Sequence, residues 1–136
     1  MKIHLDRQLS IALENQPGRL AYICNLLAQG GVNIDGVCVI DNVEQGMVRL
    51  MTNDAVAARA ILEHAGLHVV EAEVLVLELL DQLGKLARLS EALGEAGINI
   101  EYAYATVDHQ GAQTRLILKT QRARKAHEIL AGLGEE

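Results

Sequence analysis

Apolar residues recur at every second position through Leu9, Ile11 and Leu13, with Ser10, Ala12 and Glu14 between them, and this alternation predicts a strand with one buried face. Asn15-Gln16-Pro17-Gly18 follows as a turn, with Pro fixing φ and Gly permitting backbone geometry closed to other residues. From Arg19 or Leu20 the period lengthens. Leu20, Ile23, Leu26 and Leu27 fall at helical spacing, predicting a helix with Leu20 in the core, and Gly30-Gly31 offers the left-handed stop. Residues 32–40 read as a second strand, 41–46 (with Asn42 and Gly46) as a hairpin, and 47–51 as a third strand. Asn53 or Asp54 can cap a second helix, striped by Val56, Ala57, Ala60 and Ile61 and closed by Gly66, and extended structure resumes at 68–70. The predicted order is βαββαβ.

The pattern then repeats. Residues 16–34 and 82–100 align at a spacing of 66 with eight of nineteen positions identical. Leu9, Ile11 and Leu13 recur as Leu75, Leu77 and Leu79, and Arg49-Leu50 as Arg115-Leu116. The second copy reads as a helix over 86–96, strands around 98–107 and 114–118, and a helix from about Gln121. No segment is left at its end for a last strand. Residues 2–6 stand 66 before 68–72, so Ile3 and Leu5 are expected to close the second sheet; a frayed N-terminal tail is the alternative. Leu86, like Leu20, is expected in the core.

A sheet with helices on one face must cover its other face. Val37, Cys38, Val39 and Ile40 are all apolar, and Met47, Met51, Val74 and Val76 add to them, so an apolar face is expected to join the halves or two chains in a homodimer. A chain of 136 residues buries about 70% of its unfolded surface, whereas half of it alone is marginal. Half the residues are hydrophobic, with no Trp or Phe and three Tyr, so aliphatic side chains fill the core.

A net charge of −6 with scattered Lys and Arg offers no basic stripe for nucleic acid. No apolar run reaches membrane-spanning length, and Lys2, Asp6 and Arg7 interrupt the apolar N-terminal positions so that no signal-peptide core forms; no membrane role and a cytoplasmic location are expected. Cys24 and Cys38 form no CxxC pair and read as small buried residues. His64 and His68 have the spacing of a helical metal pair, but Gly66 between them ends the helix. The other histidines, His4, His109 and His127, form no motif, and no phosphate-binding glycine string occurs. No catalytic residue, metal or cofactor is expected.

The run Leu13-Glu14-Asn15-Gln16-Pro17-Gly18-Arg19-Leu20, then a helix, then Gly31-Val32-Asn33-Ile34, resembles the signature of ACT domains, ferredoxin-like modules that bind amino acids and regulate metabolic enzymes. Both repeats resemble it, over nearly the whole chain. The resemblance implies an α+β fold: two ferredoxin-like βαββαβ modules in tandem, 7–72 and 73–136, with antiparallel sheets, helices on one face, and 1–6 supplying the second module's last strand. It implies a stand-alone, non-catalytic regulatory protein that binds an amino acid between paired modules or subunits and modulates a metabolic enzyme. The ligand residues so implied lie in the first turn and second strand: Asn15, Pro17, Gly18, Arg19, Leu20, Val32, Asn33 and Ile34. An amide offers both donor and acceptor to a zwitterion, and the start of the helix favours a carboxylate. Asn15 otherwise serves only to shape a turn, and Asn33 only to begin a strand. A second site is implied at Asp81, Gly84, Lys85, Leu86, Ile98, Asn99 and Ile100, where the turn lacks Pro17's counterpart and Asp81 would repel a ligand carboxylate. The aliphatic walls favour branched-chain or aromatic amino acids. The alternative function is a dimerisation or protein-interaction scaffold without ligand.

Overall fold

The computed structural model describes residues 1–41, 45–80, 84–107 and 113–133. Asn42, Asp81, His109 and the segment 134–136, all invoked above, lie outside them. Six strands and four helices occur among the described residues: β1 (Lys2–Leu13), α1 (Arg19–Gln29), β2 (Ile34–Ile40), β3 (Gly46–Thr52), α2 (Ala55–His64), β4 (Val69–Leu80), α3 (Lys85–Glu95), β5 (Tyr102–Val107), β6 (Gln113–Lys119) and α4 (Ala123–Ala131).

The chain divides into two compact units, Arg7–Ala72 and Met1–Asp6 with Glu73–Glu136. In the first the strand order is β2-β3-β1-β4; in the second it is β5-β6-β4-β1. These are the same arrangement, with the opening residues of β1 serving the second unit as the closing residues of its fold. β1 and β4 are each a single strand of twelve residues that changes unit midway, where the alternation pattern alone suggested separate short strands. Ile3 and Leu5 pack on the second unit's core, and the ring of His127 in α4 lies 3.3 Å from the carbonyl oxygen of Ile3.

Each core is built from alternating strand residues under two helices. Leu9, Ile11 and Leu13 of β1 meet Val48 and Leu50 of β3, roofed by Ile23 and Leu27 of α1 and Ala58 and Leu62 of α2. Leu75, Leu77 and Leu79 meet Leu116 and Leu118 beneath Leu89, Leu93, Ala126 and Leu130. Antiparallel pairing sets the register, Leu9 opposite Leu50 and Leu75 opposite Leu118, so the counterpart of Leu50 is Leu118 and the expected match of Arg49-Leu50 with Arg115-Leu116 does not hold.

One further expectation fails here. Leu20 and Leu86 are not core residues: they are 38% and 54% exposed. The buried stripe of α3 runs Lys85, Leu89, Leu93, so its inward first-turn position belongs to Lys85; that of α1 is Ile23 and Leu27, with Arg19 half-buried. Met51, Val74 and Val76, expected on an apolar face that must be covered, are all buried within the chain. Val37 and Val39 are about half exposed, yet they stand opposite Leu50 and Val48 and therefore on the helix-facing side, at edge strand β2.

Candidate functional site

The amide of Arg19 donates to the Gln16 carbonyl at 3.3 Å, closing a turn in which Pro17 is second and Gly18 third. Gly18 has φ 85 and ψ −6, the left-handed geometry that the third position of a type II turn demands. Gly84 repeats it at φ 81 and ψ −1. A side chain at either position would meet nothing within 4 Å, so glycine is required for its φ rather than for space. Because a glycine occupies the cap position, no side chain caps α1 or α3, and neither helix carries an acidic residue in its first turn. The partial positive charge of each helix start is left without a capping partner.

At the start of α1 lies a pocket of about 340 Å³. The turn and helix give it Glu14, Asn15, Gln16, Gly18, Arg19, Leu20 and Ala21; the strand ends give Leu13, Val39, Ile40, Asp41 and Gly46. Pairing of Leu13 with Gly46 draws the β2–β3 end up to the turn, and Gly46 is kept small because a Cβ there would stand 3.1 Å from the carbonyls of both Leu13 and Ile40. Arg19 stacks over the Tyr22 ring at 5.2 Å from its centroid.

Of the residues expected to bind, Asn15, Gly18, Arg19 and Leu20 line this pocket, and Pro17 shapes its rim without lining it. Val32, Asn33 and Ile34 lie past the other end of α1, some eleven helical residues or about 16 Å away. Val32 is core and Ile34 packs against it. Asn33 is bound into a local network: its amide donates to Asn53 Oδ1 at 2.9 Å, its carbonyl accepts from the Asn53 amide at 3.1 Å, and its Nδ2 donates to Asp35 Oδ1 at 2.7 Å. Asp54, not Asn53, caps α2, accepting from the Ala57 amide at 3.0 Å.

In the other unit Lys85 is buried and Leu86 exposed. Ile98 and Asn99 line a separate cleft of about 210 Å³ with Glu101, Thr120, Gln121 and Arg122; Gly84, Lys85, Leu86 and Ile100 take no part in it. Asp81 is outside the described residues.

Sequence reasoning passed over Glu14 as a ligand residue and took Asp41 only as a hairpin start. The signal that could have found them is pairing: once β1 lies against β3, the end of the β2–β3 hairpin must stand beside the first turn. Among the described residues no group of three or more His, Cys, Asp or Glu is placed to hold a metal ion, and no helix is long and apolar enough to cross a membrane.

The family model for the ACT domain pair matches residues 1–133. Protein BT0572 from Bacteroides thetaiotaomicron is similar in structure, with a TM-score of 0.87 at 26% identity, over 96% of this chain and 89% of that one. The ligand-free regulatory subunit of aspartate kinase from Thermus thermophilus aligns with a TM-score of 0.70 at 17% identity, over 97% and 96% of the two chains. Its counterpart from Thermus flavus gives 0.65 at 20% identity, again over 97% and 96%. At such identities these two speak for the fold alone. No curated protein sequence matches significantly. By its match over residues 1–133, the chain belongs to the ACT domain pair family.

Proposed function

We propose that this protein is a non-catalytic regulatory protein that binds a free amino acid in the pocket beside Gly18 and passes that occupancy to a metabolic enzyme. The observation that carries the reading is the make-up of that pocket: an uncapped helix start, with Arg19, Glu14 and Asp41 among the lining residues. A zwitterion needs that pairing, its carboxylate at the guanidinium and helix amides, its ammonium at a carboxylate. Membership of the ACT domain pair family and likeness to regulatory subunits of aspartate kinase support a partner enzyme. In this reading 7–72 is the ligand-binding module, and 73–136 with 1–6 is a second module whose altered turn binds differently or scaffolds the first. A ligand of about eight to ten heavy atoms at roughly 0.3–0.7 kcal/mol each binds with millimolar to ten-micromolar affinity. It regulates only by favouring one arrangement of the protein over another.

A thermal-shift screen of the twenty amino acids tests the reading, since a ligand at 100 times its Kd stabilises by about 2.7 kcal/mol. Arg19→Ala should weaken the responding ligand about tenfold or more, whereas Asn33→Ala should leave its affinity unchanged. Loss of binding in Asn33→Ala alone would move the site to the far end of α1. The exposed Val37 and Val39 on edge strand β2 favour a second reading, a homodimer or interaction scaffold. A flat response to every amino acid, with a dimer in light scattering, would favour it.

A further inference from the structure

The pocket beside Gly18 holds more negative charge than a neutral amino acid can use. Glu14 and Asp41 line it with a single cation, Arg19, and none of the three takes part in an ion pair among the described residues. Resting on the amino-acid reading above, we infer that its ligand is an amino acid with a cationic side chain, of the lysine or arginine class.

A charge count carries the argument. The ligand's α-carboxylate takes Arg19 and the start of α1. Its α-ammonium takes one of the two carboxylates. The second carboxylate is then left over, and a cationic side chain is the group that completes it. Leu13, Leu20 and Val39 supply an apolar wall for the methylene stem of such a side chain. A branched-chain or aromatic ligand would use that wall too, but would leave the excess negative charge of Glu14 and Asp41 to solvent alone. An acidic ligand would set a third carboxylate against Glu14 and Asp41 and should be rejected.

Calorimetric titration of the intact protein at low ionic strength, with lysine, norleucine and 2-aminoadipate, tests the inference. Norleucine keeps the stem and removes the terminal ammonium; 2-aminoadipate reverses the terminal charge. Because the pocket is open, lysine should bind only about fivefold tighter than norleucine, with 2-aminoadipate the weakest. In the double variant Glu14→Gln, Asp41→Asn the ratio of lysine to norleucine should fall to near one. Both residues are exposed, so an unchanged melting temperature will show the variant folded. Norleucine equal to or tighter than lysine in the unaltered protein, or a preference that survives the double variant, would overturn the cationic assignment and leave the amino-acid reading standing. Failure of every amino acid to bind would overturn that reading itself.

Discussion

The two units copy each other where backbone geometry and apolar packing set the rule, and part company where a side chain works alone. Gly31 and Gly97 both have φ 75, and after each the next amide bonds back to the helix at 2.9 Å, from Val32 to Leu27 and from Ile98 to Leu93. Leu27 of α1 matches Leu93 of α3 at the spacing of 66, and past the hairpin Leu50 and Leu62 match Leu118 and Leu130 two residues further on. The differences gather at the helix ends. Arg19 is partly exposed and stacked on Tyr22, whereas Lys85 is buried and the position matching Tyr22 is Arg88. Asp54 caps α2, whereas its counterpart Arg122, at the cap position of α4, makes no capping bond; the Arg122 amide donates instead to Thr120 Oγ1 at 3.0 Å. A residue that must satisfy a fold repeated twice has one solution in both copies, while a residue that meets solvent or ligand is free to diverge.

The severest challenge to the likeness of the two cores is to remove the same side chain from each. Leu27 and Leu93 are both fully buried in the third turn of their helices, so Leu27→Ala and Leu93→Ala should each cost about 3–4 kcal/mol in urea unfolding. Costs that differ by more than about 1.5 kcal/mol would show that one core relaxes around a cavity and the other does not.

The caps sharpen the contrast at smaller scale. Asp54→Ala should lose about 1 kcal/mol, because it strips a bonded cap from α2. Arg122→Ala should change little, since Arg122 makes no capping bond, and Arg122→Asp should gain roughly 0.5–1 kcal/mol by supplying one. Circular dichroism melts would check all three. Equal losses in Asp54→Ala and Arg122→Ala would erase the distinction.

The sequence made the repeat, the βαββαβ order and the closing role of residues 1–6 legible, because apolar period and a spacing of 66 survive without coordinates. Leu20 and Leu86 were misread for a physical reason. Helical spacing fixes which residues share a face but not which way the face turns at its first residue: the inward stripe is Ile23 and Leu27 in α1 and Lys85, Leu89 and Leu93 in α3, and the leucine at each helix start lies off it. The pocket was half legible. Asn15, Gly18 and Arg19 sit in one local motif, whereas Asp41 arrives through the pairing of distant strands, which no local pattern records.

The mildest contrast lies in the charges along β4. Glu71 accepts from Arg7 Nε at 2.6 Å and from an Arg59 terminal nitrogen at 3.2 Å, and Arg59 also bonds Glu63 at 3.3 Å. Two residues on, Glu73 meets Arg124, whose side chain is 80% exposed, at 3.4 Å. The Arg7 hydrogen bond foremost, against the opposing effect of partial burial and with help from Arg59, holds the Glu71 carboxyl below its ordinary range. A carboxylate whose folded value is depressed contributes stability that is complete above its unfolded value and is lost as pH falls through the folded one. Urea midpoints between pH 7 and pH 3 should therefore show an acid limb that is shallower in Glu71→Gln, with a loss at pH 7 of under about 1 kcal/mol. Glu73→Gln should lose less and leave the limb unchanged. Added salt should shrink the Glu71→Gln loss, because the groups are only partly shielded from water; a loss that persists in molar salt would mean that Glu71 acts through packing instead of charge.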